Sequence, residues 1–474
     1  MVELVEPVEL VELVELDKLW TGFSYFPHQI DGIKWMLDKE INGTSVPNRD
    51  STENVLIRGG FQCDDMGLGK TIQIVSVIIN NPLPNTLLIA PLAMIETWSS
   101  ILKRAGCTVY EVSNAKWKCM NAKASCAVYI SNYEKLYHNP SIFKREWNRV
   151  VLDEAHKIRN GDGQIALYAR AIIAPIRWAV TGTPLVNSLK DIVSLLAFIG
   201  VPYSRLWRWE PRYVHMLQNL LIHRSIDSLR KVIKAAPPLP EINLCNLTFT
   251  TKEEEEFYFG VQGKGTKYTS ELLSSKDSFI LLLRLRQISV HPQVYINAKR
   301  RENPNYKRDD WTNSSTKINK IKEIITSDTG IHKYIIFCQF NDEMEIMKEH
   351  LRPIVPTILE YSGSMTQKER TDVLAISKET TDTTVLLLQL QAGGVGLNLQ
   401  EYDRIIFVSP WWTSALMDQA IARAVRMGQT EIVKVYHLGL VAENDNSINI
   451  DQFINAKADD KRKLLQKVFA WAGC

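Results

Sequence analysis

The sequence has little of what would mark a zinc-finger, secreted or membrane protein. Its seven cysteines, at positions 63, 107, 119, 126, 245, 338 and 474, contain no Cys-x-x-Cys pair. This argues against a structural zinc module, and the odd count argues against a disulfide framework, so we expect reduced intracellular thiols. A run of about 18 apolar residues is missing, as is a signal-peptide pattern, which argues against a membrane or secreted protein.

Charge and composition limit the function classes further. The chain has 474 residues, a formal net charge of +3, 45% hydrophobic residues and 23% charged residues. These values predict a globular protein of two or more domains. A charge of +3 is too small to indicate a polyanionic partner. Any surface that binds nucleic acid must therefore come from basic residues that cluster locally.

Short apolar runs alternate with helical stretches in both halves of the chain. The runs are Leu87–Ala90, Val128–Ile130, Val150–Leu152 and Trp178–Val180, and then Tyr334–Phe337, Val385–Leu388 and Ile405–Val408. This alternation predicts two α/β lobes with mostly parallel sheets. Ligands of such sheets gather at the carboxyl ends of the strands, which is where the polar motifs of this sequence fall.

The predicted boundaries follow composition. Residues 1–19 are an acidic low-complexity tail, because the Val-Glu-Leu repeat fits neither the helical nor the strand period. An N-terminal lobe with a helical protrusion is predicted over residues 20–240, and the proline-rich segment 235–240 is the candidate linker. Residues 241–315 are predicted to be linker and helical insertion. Residues 316–474 are predicted to form the C-terminal lobe with a terminal brace helix over 451–471.

The spacing of apolar residues near the N-terminus is typical of a helix. Ile30, Ile33 and Met36 form an apolar stripe with Pro27 near its start, which predicts a helix. Residues 41–54 are predicted to be a loop.

Residues 63–71 read Cys-Asp-Asp-Met-Gly-Leu-Gly-Lys-Thr and predict a phosphate-binding loop that opens into a helix. Gly67 and Gly69 allow the backbone to approach a polyphosphate, and the free N–H groups at a helix start favour an anion. Lys70 is placed to reach the β- and γ-phosphates, and the Thr71 hydroxyl to bind Mg²⁺. The alternative is a glycine turn before a surface helix with a solvated lysine.

Asp153 and Glu154 follow the Val150–Leu152 run. An aspartate at the end of a buried strand is placed to hold Mg²⁺, and the next glutamate to deprotonate an attacking water. The alternative is an acidic loop. Residues 181–184, Thr-Gly-Thr-Pro, follow the next run and would sense a γ-phosphate, with an ordinary β-turn as the alternative.

Residues 419–429 place Arg423 and Arg426 three positions apart. On a helix this spacing puts both guanidinium groups on one face. Arginine donates to phosphate oxygens in a planar fork, so the pair is a candidate for stabilising charge on a transferred phosphoryl group. The alternative is a surface helix with solvated arginines.

These motifs carry a resemblance to a known family, because they occur in that family's order. The segments are 26–36, 64–71, 153–156, 181–188, 391–399 and 419–429. Together they resemble the Swi/Snf-type ATPases of the superfamily-two helicases. Leu283–Pro292 looks most like the branch that contains the helicase-like transcription factor and its post-replication repair relatives. The resemblance covers about residues 20–470.

The resemblance implies an α/β fold of two RecA-like lobes, parallel sheets flanked by helices, with helical insertions and an ATP cleft between the lobes. It implies ATP and Mg²⁺ as cofactors. By position, the ATP-binding residues would be Gln29, which reads the adenine, and Asp64, Asp65, Met66, Gly67, Leu68, Gly69, Lys70 and Thr71. The metal-binding residues would be Thr71, Asp153 and Glu154.

The resemblance also implies catalytic, coupling and DNA-contact residues. Glu154, Gln419, Arg423 and Arg426 would be catalytic. His156, Thr181, Gly182 and Thr183 would couple hydrolysis to the nucleic-acid track. Contacts to DNA phosphates are expected from Ser131, Asn132, Gln391, Gly393 and Gly394. Trp411 and Trp412 would stack on a base or, more simply, pack in the fold.

Three positions depart from the family pattern. Asp65 replaces a glutamate, Val425 replaces a histidine between the two arginines, and His223-Arg224 replaces a pair of arginines. Since Lys70 and Glu154 are retained, an active ATPase is expected.

The leading hypothesis is a DNA-dependent ATPase that moves along duplex DNA, with double-stranded DNA as partner and DNA-bound proteins such as nucleosomes or polymerase as further candidates. One alternative is a strand-separating helicase, and another is a DNA-binding scaffold that uses ATP as a switch. We expect an intracellular protein, nuclear in a eukaryotic host and otherwise cytoplasmic or viral.

Overall fold

The computed structural model describes residues 15–473 except 49–51, 114–115, 122–125, 204–205, 230–236, 264–275, 391–396, 427 and 442–448. The chain divides into two units. The first comprises the residues up to Leu185, Leu189–Leu229 and the segment from Val468, and the second comprises Val186–Ser188 and Arg230–Lys467. Each unit contains its own sheet and its own buried apolar clusters.

The sheet of the first unit is parallel except at its two edges. Its strands are β1 (Thr44–Pro47), β2 (Asn54–Gln62), β3 (Thr86–Ala90), β4 (Thr108–Ser113), β5 (Lys116–Cys119), β6 (Ala127–Asn132), β7 (Arg149–Asp153), β8 (Ile176–Val180) and β9 (Leu221–Ile222). Their order is β1-β2-β8-β7-β3-β6-β4-β5, and β9 pairs with β2. Only the pairs β1–β2 and β4–β5 are antiparallel in the described sheet. The carboxyl ends of β2, β3, β6, β7 and β8 therefore meet at one edge.

Helices of the first unit pack on this sheet. They are α1 (Pro27–Ile41), α2 (Lys70–Asn80), α3 (Ile95–Arg104), α4 (Gln164–Ala171), α5 (Leu189–Ile199), α6 (Arg212–Leu220) and α7 (Ile226–Leu229). Pro27 stands at the first helical position of α1, where its missing N–H costs nothing. The predicted loop at 41–54 was wrong in part, because Thr44–Pro47 pair with Asn54–Ile57 as an edge hairpin.

The described sheet of the second unit is parallel throughout. Its strands are β10 (Glu241–Leu247), β11 (Lys333–Cys338), β12 (Thr357–Tyr361), β13 (Thr384–Gln389), β14 (Arg404–Phe407) and β15 (Lys434–Leu440), in the order β10-β15-β14-β11-β13-β12. The segment predicted as linker and helical insertion thus begins with a strand, because Glu241–Leu247 pairs along the full length of β15.

The second unit has eight helices among its described residues. They are α8 (Lys252–Gln262), α9 (Lys276–Val290), α10 (Pro292–Glu302), α11 (Thr316–Ser327), α12 (Asn341–Leu351), α13 (Gln367–Glu379), α14 (Ser414–Ile421) and α15 (Ile450–Trp471). The single helix predicted over 451–471 is confirmed by α15. The α/β fold class with parallel sheets flanked by helices is also confirmed. Across the described ranges, each helix is too short or too polar to cross a lipid bilayer.

Candidate nucleotide site

The phosphate loop lies between the end of β2 at Gln62 and the start of α2 at Lys70. Gly67 and Gly69 have φ values of 87° and 80°, a region that side chains with a Cβ rarely occupy. Lys70 Nζ donates to the carbonyl oxygens of Asp64 at 2.7 Å and Asp65 at 3.2 Å. The lysine ammonium therefore lies inside the turn of the loop, beside the N–H groups that begin α2.

The Asp64 carboxylate is fully buried. It accepts hydrogen bonds from Gln62 Nε2 at 2.7 Å, Gln73 Nε2 at 2.9 Å and Arg224 Nε at 2.9 Å. Burial opposes ionisation, but the bonds and charge of Arg224 hold the pKa of Asp64 below its ordinary value. The Asp64 carboxylate therefore anchors the loop to helix α2 and to Arg224.

The adenine-reading candidate Gln29 is packed on the loop. Its Nε2 donates to the Leu68 carbonyl at 3.3 Å, and its Oε1 accepts the Phe26 N–H at 3.1 Å. His28 Nε2 lies 3.0 Å from the same Leu68 oxygen. A Cβ at Gly69 would stand 2.4 Å from Gln29 Nε2, so a larger residue there would displace the Gln29 amide. Helix α1 and the phosphate loop are thus held as one surface.

Asp153 and Glu154 lie at the carboxyl end of β7. Asp153 Oδ2 accepts the Trp98 indole N–H at 2.7 Å, and Tyr133 Oη donates to the Asp153 carbonyl at 2.7 Å. Burial and the charge of Glu154 raise the pKa of Asp153 to about 6, while the charge of Lys70 acts in the opposite direction. The phosphate-loop lysine and the strand-end carboxylate are therefore within electrostatic reach of each other.

These residues fit a magnesium ion that is shared with a nucleotide. Two neighbouring carboxylates raise the cost of each other's charge, and a divalent cation would offset it. Within the part of the chain that the structure describes, no three His, Cys, Asp or Glu side chains gather as a complete metal cage. Mg²⁺ is commonly held by one or two carboxylates together with substrate phosphates and does not need such a cage.

His156 connects the carboxylates to the turn after β8. Its Nδ1 lies 3.3 Å from Glu154 Oε2, 3.2 Å from Thr181 Oγ1 and 3.5 Å from Thr183 Oγ1. Gly182 borders the phosphate loop, since a Cβ there would stand 3.5 Å from Lys70 Nζ. The structure thus brings together the residues that were predicted separately as base, coupling group and phosphate sensor.

The residues predicted to contact DNA are buried or lie outside the described residues. Ser131 and Asn132 end β6, where their side chains are buried, and Asn132 Oδ1 accepts the Lys135 N–H at 3.2 Å. Asn132 therefore shapes the next turn, and the DNA-contact assignment has no support from an exposed side chain. Gln391, Gly393 and Gly394 lie outside the described residues. Trp411 and Trp412 pack in the fold, with the Arg286 guanidinium 4.8 Å and 5.8 Å from their ring centres.

The two arginines of the second unit are not on a helix, so that prediction was wrong. Helix α14 carries Gln419 and ends at Ile421, after which Arg423 N–H bonds to Ala420 O and Arg426 N–H to Ala424 O. These shorter bonds, together with one helical bond from Val425 N–H to Ile421 O at 2.9 Å, form turns and not a continuous helix. Arg426 Nη1 donates to Leu397 O at 3.3 Å and to Asn398 Oδ1 at 3.4 Å. Burial lowers the pKa of Arg426.

Val425 stands between the arginines, where the family pattern has histidine. Its side chain is 5% exposed and belongs to an apolar cluster with Leu399 and Ala424. The position therefore serves core packing here, and any polar contact that a histidine would make is missing.

Sequence reasoning missed the residues that support the site from a distance. Arg224 was noted only as a departure from a pair of arginines, although it binds the carboxylate of Asp64. Trp98 carried no signal at all, because nothing in its neighbourhood on α3 indicates a bond to a residue on β7.

Two protein-family models match the chain. The SNF2-related domain family matches residues 28–294, and the helicase conserved C-terminal domain matches residues 316–428. The chain is 27% identical to a probable global transactivator of the Orgyia pseudotsugata multicapsid polyhedrosis virus, with 93% of this chain and 91% of that protein covered. It is 25% identical to an uncharacterized ATP-dependent helicase of Mycoplasma pneumoniae, with 93% of this chain but only 42% of that protein covered.

A solved structure was also matched. It is the SWI2/SNF2 ATPase core of Sulfolobus solfataricus in complex with double-stranded DNA, at 23% identity and a TM-score of 0.41, with 96% of this chain and 95% of that chain covered.

Proposed function

Because the chain belongs to the SNF2-related family and is a helicase-like ATP hydrolase, we propose that it couples ATP hydrolysis to movement along double-stranded DNA. The single observation that carries the proposal is a row of neighbouring groups in the first unit. It runs from Lys70 in the phosphate loop past Gly182 to Thr181, and from Thr181 through His156 to Glu154. Loss of the γ-phosphate would therefore act on the turn after β8 as well as on the catalytic carboxylate.

The proposed chemistry follows from the placement of these groups. Lys70 and the N–H groups at the start of α2 bind the β- and γ-phosphates. Mg²⁺, when bound beside Thr71 and Asp153, supplies charge that offsets the phosphates. Glu154 accepts a proton from water as the water oxygen bonds to the γ-phosphorus. The bond from that phosphorus to the bridging oxygen breaks, which releases phosphate and ADP.

Arg423 and Arg426 enter the proposal as groups that stabilise the charge of the transferred phosphoryl. Arginine is suited to this role because its guanidinium stays protonated and donates in a fixed fork. Arginines that act in this way are worth about 10³ to 10⁵ in rate. Gln419 is proposed to assist them.

DNA is the proposed partner, held through its phosphates and not through its base sequence. Movement along duplex DNA would displace or remodel bound proteins, in repair or in transcription, in the nucleus of a eukaryotic host or during viral infection. The name of the viral relative, a probable global transactivator, favours transcription. The resemblance of Leu283–Pro292 to the post-replication repair branch favours a role in repair.

ATP turnover by the purified chain tests the proposal. Turnover is measured without nucleic acid, with single-stranded DNA and with duplex DNA. We expect duplex DNA to stimulate turnover. We expect Lys70→Ala and Glu154→Gln to lower the turnover with duplex DNA by at least about 100-fold. Glu146→Gln, at an exposed position of the same unit, is the matched control and should leave it unchanged. Equal turnover under all three conditions would exclude DNA-coupled movement.

Two further assays separate the alternatives. Displacement of a triplex strand without unwinding of a forked duplex indicates a translocase, and fork unwinding indicates a helicase. Nucleotide binding without turnover would favour the alternative of a DNA-binding scaffold that uses ATP as a switch.

A further inference from the structure

A short segment of the first unit is paired with the base of the phosphate loop. Strand β9 pairs with the last residues of β2, and the pairing continues beyond the strand. Cys63 N–H donates to Ile222 O at 2.8 Å, and Asp65 N–H donates to Arg224 O at 3.0 Å. We call residues 221–226 the loop clamp. Its last residue returns a bond, because Ile226 N–H donates to Asp65 Oδ2 at 2.9 Å.

The Arg224 guanidinium is the centre of this clamp. It donates to Asp64 through Nε at 2.9 Å and through Nη2 at 2.5 Å. Nη2 also donates to Gln73 Oε1 at 2.9 Å, and Nη1 donates to the His28 carbonyl. One side chain therefore binds the phosphate loop, helix α2 and helix α1 at the same time.

Helix α1 passes close to the guanidinium at Gly32. A Cβ on Gly32 would stand 2.1 Å from Gln73 Oε1 and 2.4 Å from Arg224 Nη2. Both atoms belong to the network that holds Asp64. A larger residue at this position would displace the Gln73 and Arg224 side chains from that network.

We propose that Arg224 is a positioning residue for ATP, which fixes the adenine-reading helix α1 and the phosphate loop relative to each other. Gln29 and Lys70 lie on the two parts that it joins, and neither is contacted by Arg224 in any described hydrogen bond. The inference rests on the proposed ATPase function, and it adds the residue that sets nucleotide affinity from behind the loop.

The chemistry of arginine explains why this residue type is needed. A guanidinium offers five N–H donors in a rigid plane, enough for a carboxylate, an amide oxygen and a carbonyl together. A lysine ammonium offers three donors from one atom and cannot span the same acceptors. Removing the arginine would also leave the Asp64 carboxylate buried without its opposite charge, and such losses are costly.

Steady-state kinetics with the full chain test the role. We expect Arg224→Ala to raise the KM for ATP by about tenfold or more, equivalent to ~1.4 kcal/mol of binding free energy, while kcat changes by less than about threefold. The KM for ATP of Arg224→Lys should fall between that of the unmodified chain and that of Arg224→Ala. In a double-mutant cycle, Asp64→Asn should add little to Arg224→Ala, because both changes break one network.

Arg177→Ala is the matched control. Arg177 is another half-buried arginine of the first unit, and it donates to the backbone carbonyls of Phe198 and Ala174 away from the phosphate loop. We expect this variant to lower thermal stability and to leave the KM for ATP unchanged. If Arg224→Ala lowers stability in the same way with an unchanged KM, its role is structural and the proposal is wrong. If the unmodified chain itself fails to hydrolyse ATP, the proposed function fails instead.

Discussion

Buried carboxylates in this protein differ sharply in how their negative charge is stabilised. Asp64 faces the Arg224 guanidinium and stays easy to ionise. Glu343, on α12, is 1% exposed, and its Oε2 accepts the backbone N–H groups of Gln339 and Phe340 at 2.7 Å and 3.1 Å. Burial raises the pKa of Glu343 to about 7, although those bonds and the charges of Lys317 and Arg286 act against the rise. The two carboxylates therefore have opposite effects on stability.

Glu343 makes the stability of the second unit depend on pH. With its ordinary pKa of 4.5 when unfolded and about 7 when folded, the native state holds the proton more tightly. Stability should therefore fall as pH rises from about 4.5 to 7, by roughly 3 kcal/mol in all. We expect Glu343→Gln to remove this fall, because glutamine still accepts the two N–H bonds and never ionises.

Urea denaturation between pH 5 and pH 8 measures the effect. Glu349→Gln changes an exposed glutamate of the same helix and should keep the pH dependence of the unmodified chain. A slope in Glu343→Gln equal to that of the control would contradict the prediction.

At the residue scale, the sequence predicts a functional residue where the neighbouring residues in the chain belong to the same motif. Lys70 has its glycines beside it, and Glu154 has its strand and its aspartate. Arg224 meets Asp64 across 160 positions and Trp98 meets Asp153 across 55, so no local pattern contains either contact. The motif groups Asp64 with the nucleotide-binding residues, and adjacency in the chain does not reveal that its carboxylate is buried against Arg224.

Among the elements, β2 depends on two glycines in its middle. A Cβ on Gly59 would stand 2.1 Å from the Arg177 carbonyl oxygen, and one on Gly60 would stand 2.4 Å from that of Leu220. Both obstacles are backbone atoms of neighbouring segments. They cannot move aside without breaking the sheet that carries the phosphate loop.

We expect Gly59→Ala to destabilise the first unit by more than about 2 kcal/mol, because strained φ and a backbone clash add together. Gly106→Ala is the control, since Gly106 has a φ of 92° but nothing within 4 Å of its Cβ position. It should cost only the backbone strain, about 1 kcal/mol. Urea denaturation of both variants gives the difference, and equal losses would show that the close approach to β8 does not matter.

Elements were predictable where burial on both faces leaves a continuous apolar run, as in β3 and β7. They were missed where pairing, and not composition, makes the strand. Thr44–Pro47 is short and polar, and Glu241–Leu247, an edge strand beside β15, has no continuous apolar run. The end of α14 was missed because Arg423 and Arg426 keep a helical spacing in the sequence although the backbone hydrogen bonds tighten after Ile421.

On the scale of the whole molecule, the residues that bind ADP in the proposed site all belong to the first unit. A ligand that binds only the native state stabilises it by about 2.7 kcal/mol at a hundred times its Kd. We therefore expect ADP with Mg²⁺ to raise the melting temperature in calorimetry, and Lys70→Ala to abolish the rise.

Arg423→Ala provides the contrast within the second unit. Its proposed partner is the γ-phosphoryl group, which ADP lacks, so the ADP-induced rise should persist in this variant. A rise that survives Lys70→Ala would mean that ADP binds elsewhere.

The hydrogen bond from Trp98 to Asp153 has a consequence for measurement. The indole is completely buried and donates to the very carboxylate that is expected beside the metal. An indole reports changes in nearby charge through its emission, so filling the site should alter the light that this ring gives off. The chain has 12 tryptophans, and the signal of this one is the difference between the unmodified chain and Trp98→Phe. The protein thus contains its own optical probe of nucleotide arrival, with no dye attached.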